Sequence, residues 1–236
     1  CTQKGDGWHL MTRAEWAAIA LWCKANGCLP KGNNNYGKDA SEGGYKAIPA
    51  PGVNDSGRTA RVLTGTGPVS WSHGGTLEGI WDLNGNIWEW NGGSRTVKGE
   101  LQVLVNNNAA DLDHSQAASS AQWKAIDATT GAYITPNGSG TTANSIKLDW
   151  VSGKITYSAT ITAQADASRD CAFASVTCAS SVSAAAQAVL KALAFLPASA
   201  TASEYEDDHM WMNNGADERA FCSGGYWSNG ANAGLS

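Results

Sequence analysis

GIWDLNGNIWEW, from Gly79 to Trp90, gathers three tryptophans, two carboxylates and a Gly-Asn pair in one short run. Asp82 and Glu89 stand seven residues apart, and between them Gly85 and Asn86 permit a tight reversal of the backbone. A loop of this kind can aim two carboxylates and the carbonyls of Gly85 and Ile87 at one point. A hard cation such as calcium takes an all-oxygen shell of about six to eight ligands, the remainder coming from water or neighbouring loops. The same residues also read as a turn in which Trp81, Trp88 and Trp90 anchor a core while the acids accept backbone amides. Taken alone, the stretch leaves both readings open.

Composition narrows the context. A chain of 236 residues holds one domain, or one domain with a large insertion. Hydrophobic residues make up 42%, enough for a core, whereas charged residues reach only 16%, below the roughly 25% of an average domain. Many Gly (27) beside many Trp (11) suggest an irregular, loop-rich fold pinned by aromatic anchors. A net charge of −5 without clustered Lys or Arg argues against nucleic acid. No apolar run approaches the length of a membrane span, and the best candidate, 184–196, is interrupted by Gln187 and Lys191. No signal peptide is visible, and the chain opens at Cys1 rather than Met. The cysteines (1, 23, 28, 171, 178 and 222) form no C-x-x-C pair, which argues against zinc. Cys171 and Cys178 could bridge in an oxidising compartment; otherwise they are free, partly buried thiols.

Along the chain, HLMTRAEWAAIALWCKANG (9–27) predicts a helix. Thr12 and Glu15 form a capping box, Trp16, Ile19, Ala20 and Trp22-Cys23 follow at helical spacing, and Gly27 is the stop. The capped helix is expected to pack Trp16 and Trp22 against the 81–90 loop. Residues 30–79 are punctuated by Gly, Asn, Ser and Pro and predict a long irregular segment. TVKGELQVLV (96–105) predicts a strand, SIKLDWVSGKITYSATIT (145–162) a hairpin turning at Ser152-Gly153, and SVSAAAQAVLKALAFLP (181–197) a second helix capped by Ser183. The order of elements predicts α+β.

Familiar catalytic patterns are missing: there is no G-x-S-x-G, no H-E-x-x-H and no phosphate-cradling loop. His9, His73, His114 and His209 are scattered. EYEDDHMW (204–211) reads as a solvated acidic loop rather than a metal site. Asp111 and Asp113 resemble the start of a calcium loop but lack its Gly and terminal Glu.

GIWDLNGNIWEW resembles the G-x-x-D-x-x-G-N-x-x-E-W signature of the formylglycine-generating (sulfatase-modifying factor) family, a variant of the C-type lectin fold. GWHLMTRAEWAAIALWCKANG (7–27), GNNNYG (32–37), MNNGADERAF (212–221) and RAFCSGGYWSNGANAG (219–234) resemble the variable proteins of diversity-generating retroelements. The resemblance implies an α+β, C-type-lectin-like domain over 1–236, with strands and a helix inserted at about 95–205. It also implies a chain truncated at both ends, because the family continues through a strand-forming segment that closes near G-F-R.

In that family G-G-x-W-x-x-G-x-x-A-G opens a region in which chosen codons are rewritten while a framework stays fixed. Gly224, Gly225, Trp227, Gly230, Ala233 and Gly234 match the framework, and Cys222, Ser223, Tyr226, Ser228, Asn229, Ala231 and Asn232 fall between. The resemblance implies that those seven side chains are mostly exposed on one contiguous surface for ligand binding, over a buried Trp227. It implies a receptor-binding protein of a phage tail or cell surface, directed at a protein or glycan receptor of a bacterial host and assembled as a homo-oligomer through other tail parts. It raises the expectation of a calcium-type site at Asp82, Gly85, Ile87 and Glu89, and of no organic cofactor. The formylglycine-generating enzymes use a cysteine pair in the C-terminal part of the fold. Here only Cys222 lies there, so binding rather than catalysis is expected. An oxidase of that type and a non-variable lectin-like structural domain are the alternatives.

Overall fold

Thr12 opens the first regular element. Its hydroxyl accepts the Glu15 N–H at 3.1 Å, and the Glu15 carboxylate accepts the Thr12 N–H at 2.8 Å, closing the expected capping box. Helix α1 runs Arg13–Ala25. The structure, a computed structural model, describes residues 1, 4–5, 7–44, 46–111, 113–199 and 201–235, without the side chain of residue 202. Trp16, Ala20 and Cys23 recur on one helical face and are buried against Leu83 and Leu235, so α1 rests on the 79–90 loop through Leu83. Trp22 departs from expectation. It stands off that stripe, is 47% exposed, and meets His73 with ring centroids 5.1 Å apart.

Residues 30–79 are irregular as expected, broken by a small hairpin of β1 (Asn54–Asp55) and β2 (Arg58–Thr59). The first long strand, β3, runs Glu89–Val97 and therefore starts inside the tryptophan-rich motif. Trp88 and Trp90 are 54% and 60% exposed, so they are not core anchors. The segment 96–105, read as one strand, instead ends β3, turns, and forms β4 (Glu100–Leu104). Lys98 (φ 47°) and Gly99 (φ 86°) both take the left-handed conformation of a two-residue hairpin turn, which matches the twist of paired strands.

β5 (Trp123–Ile126) and β6 (Tyr133–Ile134) pair beside β4. β7 (Lys147–Val151) and β8 (Lys154–Ser158) form the expected hairpin, with Ser152 and Gly153 both at positive φ. β9 (Arg169–Ala172), β10 (Thr177–Cys178), α2 (Ala184–Ala192), β11 (His209–Met212) and β12 (Arg219–Ser223) follow. The Ser183 hydroxyl caps α2 by accepting the Ala186 N–H at 3.2 Å. The main sheet runs β10-β8-β7-β4-β3-β12, with β10 parallel to β8 and β5–β6 paired onto β4; β9 and β11 form a separate antiparallel pair. The architecture is mixed α+β, mostly sheet.

Segment 95–205, expected as an insertion, supplies most of the largest apolar core, including Leu101, Ile126, Leu148, Tyr157, Leu190 and Phe195. Fully burying each such aliphatic or aromatic side chain is worth about 1.5–3 kcal/mol. All six cysteines are free thiols, Cys171 in β9 and Cys178 in β10 included. Among the described residues, no helix is long and apolar enough to cross a membrane.

Candidate ligand-binding cleft and carboxylate pair

Two loops, 32–37 and 79–90, interlock with residues 222–235. The Gly85 N–H donates to Gly224 O, the Tyr36 N–H to Trp227 O (2.8 Å) and the Gly230 N–H to Asn34 O (2.8 Å). The Asn-rich run is held by its own side chains: Asn33 Nδ2 donates to Ala60 O (2.8 Å), and Asn33 Oδ1 accepts the Gly37 N–H (2.7 Å). Asn86, at φ 60°, accepts the Val62 N–H at 2.9 Å. Buried amides thus supply the hydrogen bonds that regular ladders supply elsewhere.

Two framework glycines are required by close approach. Gly225 sits at φ 72°, and a Cβ there would come within 2.6 Å of Ala233 Cβ. A Cβ on Gly234 would enter the carboxylate of Asp208. These contacts draw 222–235 into a tight lobe with Ala233, Gly234 and Leu235 buried.

The seven positions expected to be exposed divide. Cys222 and Ala231 are exposed, and Tyr226, Ser228, Asn229 and Asn232 are half-buried. Ser223 is buried, which corrects the expectation. A register irregularity between Ala220 and Cys222 sets Ser223 opposite Glu89, and its Oγ accepts from Arg13 Nη1 (3.0 Å) and donates to Asn91 Oδ1 (2.7 Å). Trp227, expected to be buried, is half-buried. It lies edge-on to Tyr226 at 5.2 Å, and Tyr226 in turn lies edge-on to Trp88 at 4.8 Å.

Cys222, Ser223, Tyr226, Asn229 and Asn232 line one cleft of about 530 Å³, within the range of small-molecule sites; Ser228 and Ala231 stand outside it. The cleft also takes in Trp88, His209, Trp211 and Arg219, which sequence reasoning missed. The signal was present in HMWM. Met210 and Met212 point into the core while His209 and Trp211 face outward, the period-two alternation of a strand rather than a solvated loop. His209 Nδ1 is held 2.7 Å from Asp170 Oδ2.

The carboxylate pair spans the motif, Asp82 near its start and Glu89 next to Trp88. Asp82 is buried at φ 62°, with Asn86 Nδ2 3.5 Å from its Oδ2. Burial holds its carboxyl above the ordinary range. Burial, and then the charge of Asp82, push the Glu89 carboxyl up to about 7. The two acids are therefore within electrostatic reach, and among the described residues neither forms an ion pair with Lys, Arg or His. Two uncompensated carboxylates fit a hard cation. The described residues gather no third His, Cys, Asp or Glu beside them, so carbonyls and water would complete the shell. The Gly85 N–H is committed to Gly224 O, and Ile87 is 43% exposed.

No family model matches the chain, and no curated protein matches it.

Proposed function

We propose that this chain is a ligand-binding scaffold of C-type-lectin-like type, a variable protein of the retroelement-diversified kind that displays changeable side chains to a receptor on a bacterial surface. The observation that carries the reading is the division within 222–235. Cys222, Tyr226, Asn229 and Asn232 bring side chains to one cleft, while Gly224, Gly225 and Gly234 reach the same cleft as buried backbone where an added Cβ would overlap a neighbour. Tyr supplies rigid contact area and Asn adaptable hydrogen bonds, the division of labour of an antibody paratope. Ser223 belongs to the scaffold in this reading. Asp82 and Glu89 hold calcium beside the loop that carries Gly224, which stiffens the base of the display surface. The role is binding, at a virion tip or cell surface, and avidity from several displayed copies multiplies a modest single-site affinity.

The test is a library randomised at Cys222, Tyr226, Ser228, Asn229, Ala231 and Asn232 together. Most members are expected to fold with melting midpoints near that of the parent while differing in the receptor they capture. General loss of folding would sink the reading. A neighbouring reverse-transcriptase gene, with a template repeat differing only at adenines, is the matching genomic observation.

A further inference from the structure

The cleft has a sign. The protein carries 21 acidic and 16 basic residues, yet no Asp or Glu is among the described residues that line the cleft, whereas Arg13, Arg219 and His209 are. Arg13 is buried, and its guanidinium donates to neutral acceptors: Leu193 O at 2.8 Å, Ala194 O at 2.5 Å, Ser223 Oγ at 3.0 Å and Asn91 Oδ1 at 3.5 Å. Among the described residues no carboxylate pairs with it. A buried cation without a counter-charge projects its field into the nearest open space, and here that space is the cleft. Arg219, at the mouth, has Asp166 at 3.8 Å, with both side chains more than half exposed, a pairing that solvent screens. His209 is already engaged by Asp170.

The remaining wall suits a ring. Trp88, Trp211 and Tyr226 line it, and aromatic rings are surfaces against which the C–H face of a pyranose can lie. Asn229 accepts the Tyr226 N–H on its Oδ1 at 2.8 Å, and Asn229 and Asn232 both line the cleft. Planar amides of this kind pair with vicinal hydroxyls. We propose that the cleft binds an acidic sugar, its ring against Trp88, Trp211 and Tyr226, its hydroxyls on Asn229 and Asn232, and its carboxylate drawn to Arg219 by the field of Arg13. The inference rests on the reading of this cleft as the display site and names the ligand class that the present side chains select.

Glucuronic acid, its methyl ester and glucose are titrated into the protein, with tryptophan fluorescence and calorimetry as readouts. The acid is expected to bind at least about tenfold more tightly than the ester or glucose, with affinity falling as salt rises. Arg219→Gln is expected to remove that preference without moving the melting midpoint, and Trp211→Ala to weaken all three sugars together. Equal binding of acid and ester, no saturation by the acid, or an unchanged preference in Arg219→Gln overturns the inference. A nucleoside monophosphate included as a second anion with a flat ring overturns it too if it outcompetes the acid. Failure here is separable from failure of the proposed function. A protein that ignores the acid, while the randomised library still folds and changes receptor, loses only the acidic-sugar assignment.

Discussion

Arg13 in the first turn of α1 donates from Nη1 to Ser223 Oγ at the end of β12, a 3.0 Å bond that joins positions 210 residues apart. The bond fixes the floor of the cleft against the helix. It also gives Ser223 a role opposite to that of its neighbour Cys222, which faces solvent. Ser223→Ala takes from Asn91 Oδ1 its 2.7 Å donor and from Arg13 Nη1 its 3.0 Å acceptor, leaving the two only their long 3.5 Å contact with each other. A loss of ~1–3 kcal/mol in urea unfolding is expected, while Cys222→Ala stays within ~0.5 kcal/mol. If both variants proved equally silent, the inward placement of Ser223 would be wrong.

The glycines of 224–234 give a graded test. Gly225→Ala sets a Cβ 2.6 Å from Ala233 Cβ and forces a side chain into φ 72°, so steric overlap adds to backbone strain. Gly230 has φ 63°, but a methyl group there would meet nothing within 4 Å, so only the conformational cost remains. Gly230→Ala is expected to cost ~1 kcal/mol and Gly225→Ala at least ~2 kcal/mol. Melting curves of the two proteins, run side by side, check the order. The reverse order would show that the lobe relaxes around position 225.

Glu89 makes stability depend on pH in a direction unusual for a carboxylate. Its folded-state pKa, about 7, lies above the ordinary 4.5, so the folded chain holds its proton more tightly than the unfolded chain. The stabilisation it confers is complete below about 4.5 and is lost as pH rises through about 7. Without added metal ion, the stability difference between wild type and Glu89→Gln should therefore shift against wild type between pH 4.5 and about 8. Calcium should raise the wild-type midpoint at about pH 8, where both acids are ionised, and raise it less at about pH 5. Glu89→Gln should lose most of the calcium effect. A calcium shift that ignores pH and survives Glu89→Gln would place the cation elsewhere.

What could be read in advance depended on the range of the interaction. The α1 capping box, the Ser183 cap and the Ser152-Gly153 turn rest on contacts within four residues, and the structure carries all three. The Lys98-Gly99 turn is equally local, yet it hides inside an apolar run because Lys at positive φ carries no warning in its side chain. The polar ladder through the sheet lies beyond sequence reading: Arg95 Nε donates to Gln102 Oε1 (2.9 Å), and Gln102 Nε2 donates to Glu100 Oε1 (2.8 Å). Glu100 Oε2 then accepts from the Thr142 N–H and Ser145 Oγ, both at 2.8 Å, so one oxygen of this buried carboxylate is satisfied by residues more than forty positions away. Burial of Ser223 was hidden for the same reason, since Arg13 and Asn91 meet it only after β12 pairs with β3. The tryptophans divide by face: Trp16 lies on the buried stripe of α1, while Trp88 sits just before β3 and opens to the cleft.

That division yields the last prediction. Trp16 is 1% exposed, packs on Leu83 and Leu235, and donates Nε1–H to Leu235 O at 3.1 Å. Trp88 is 54% exposed and touches Tyr226 edge-on at 4.8 Å along the cleft wall. Trp16→Ala is expected to destabilise the fold by ~3–5 kcal/mol through the cavity it leaves. Trp88→Ala removes a single aromatic edge contact and an exposed face, so it should cost no more than ~1 kcal/mol of stability. Its effect should appear in binding, as a loss of ~1–3 kcal/mol toward whatever ligand the cleft accepts, matched by Tyr226→Ala and less than additive with it because the two rings touch. The measurement is a double-mutant cycle on ligand affinity, with thermal melts of each variant as the control. If Trp88→Ala melted as early as Trp16→Ala while binding per folded molecule stayed intact, Trp88 would belong to the scaffold, and the cleft would lose the wall on which its ligand is expected to rest.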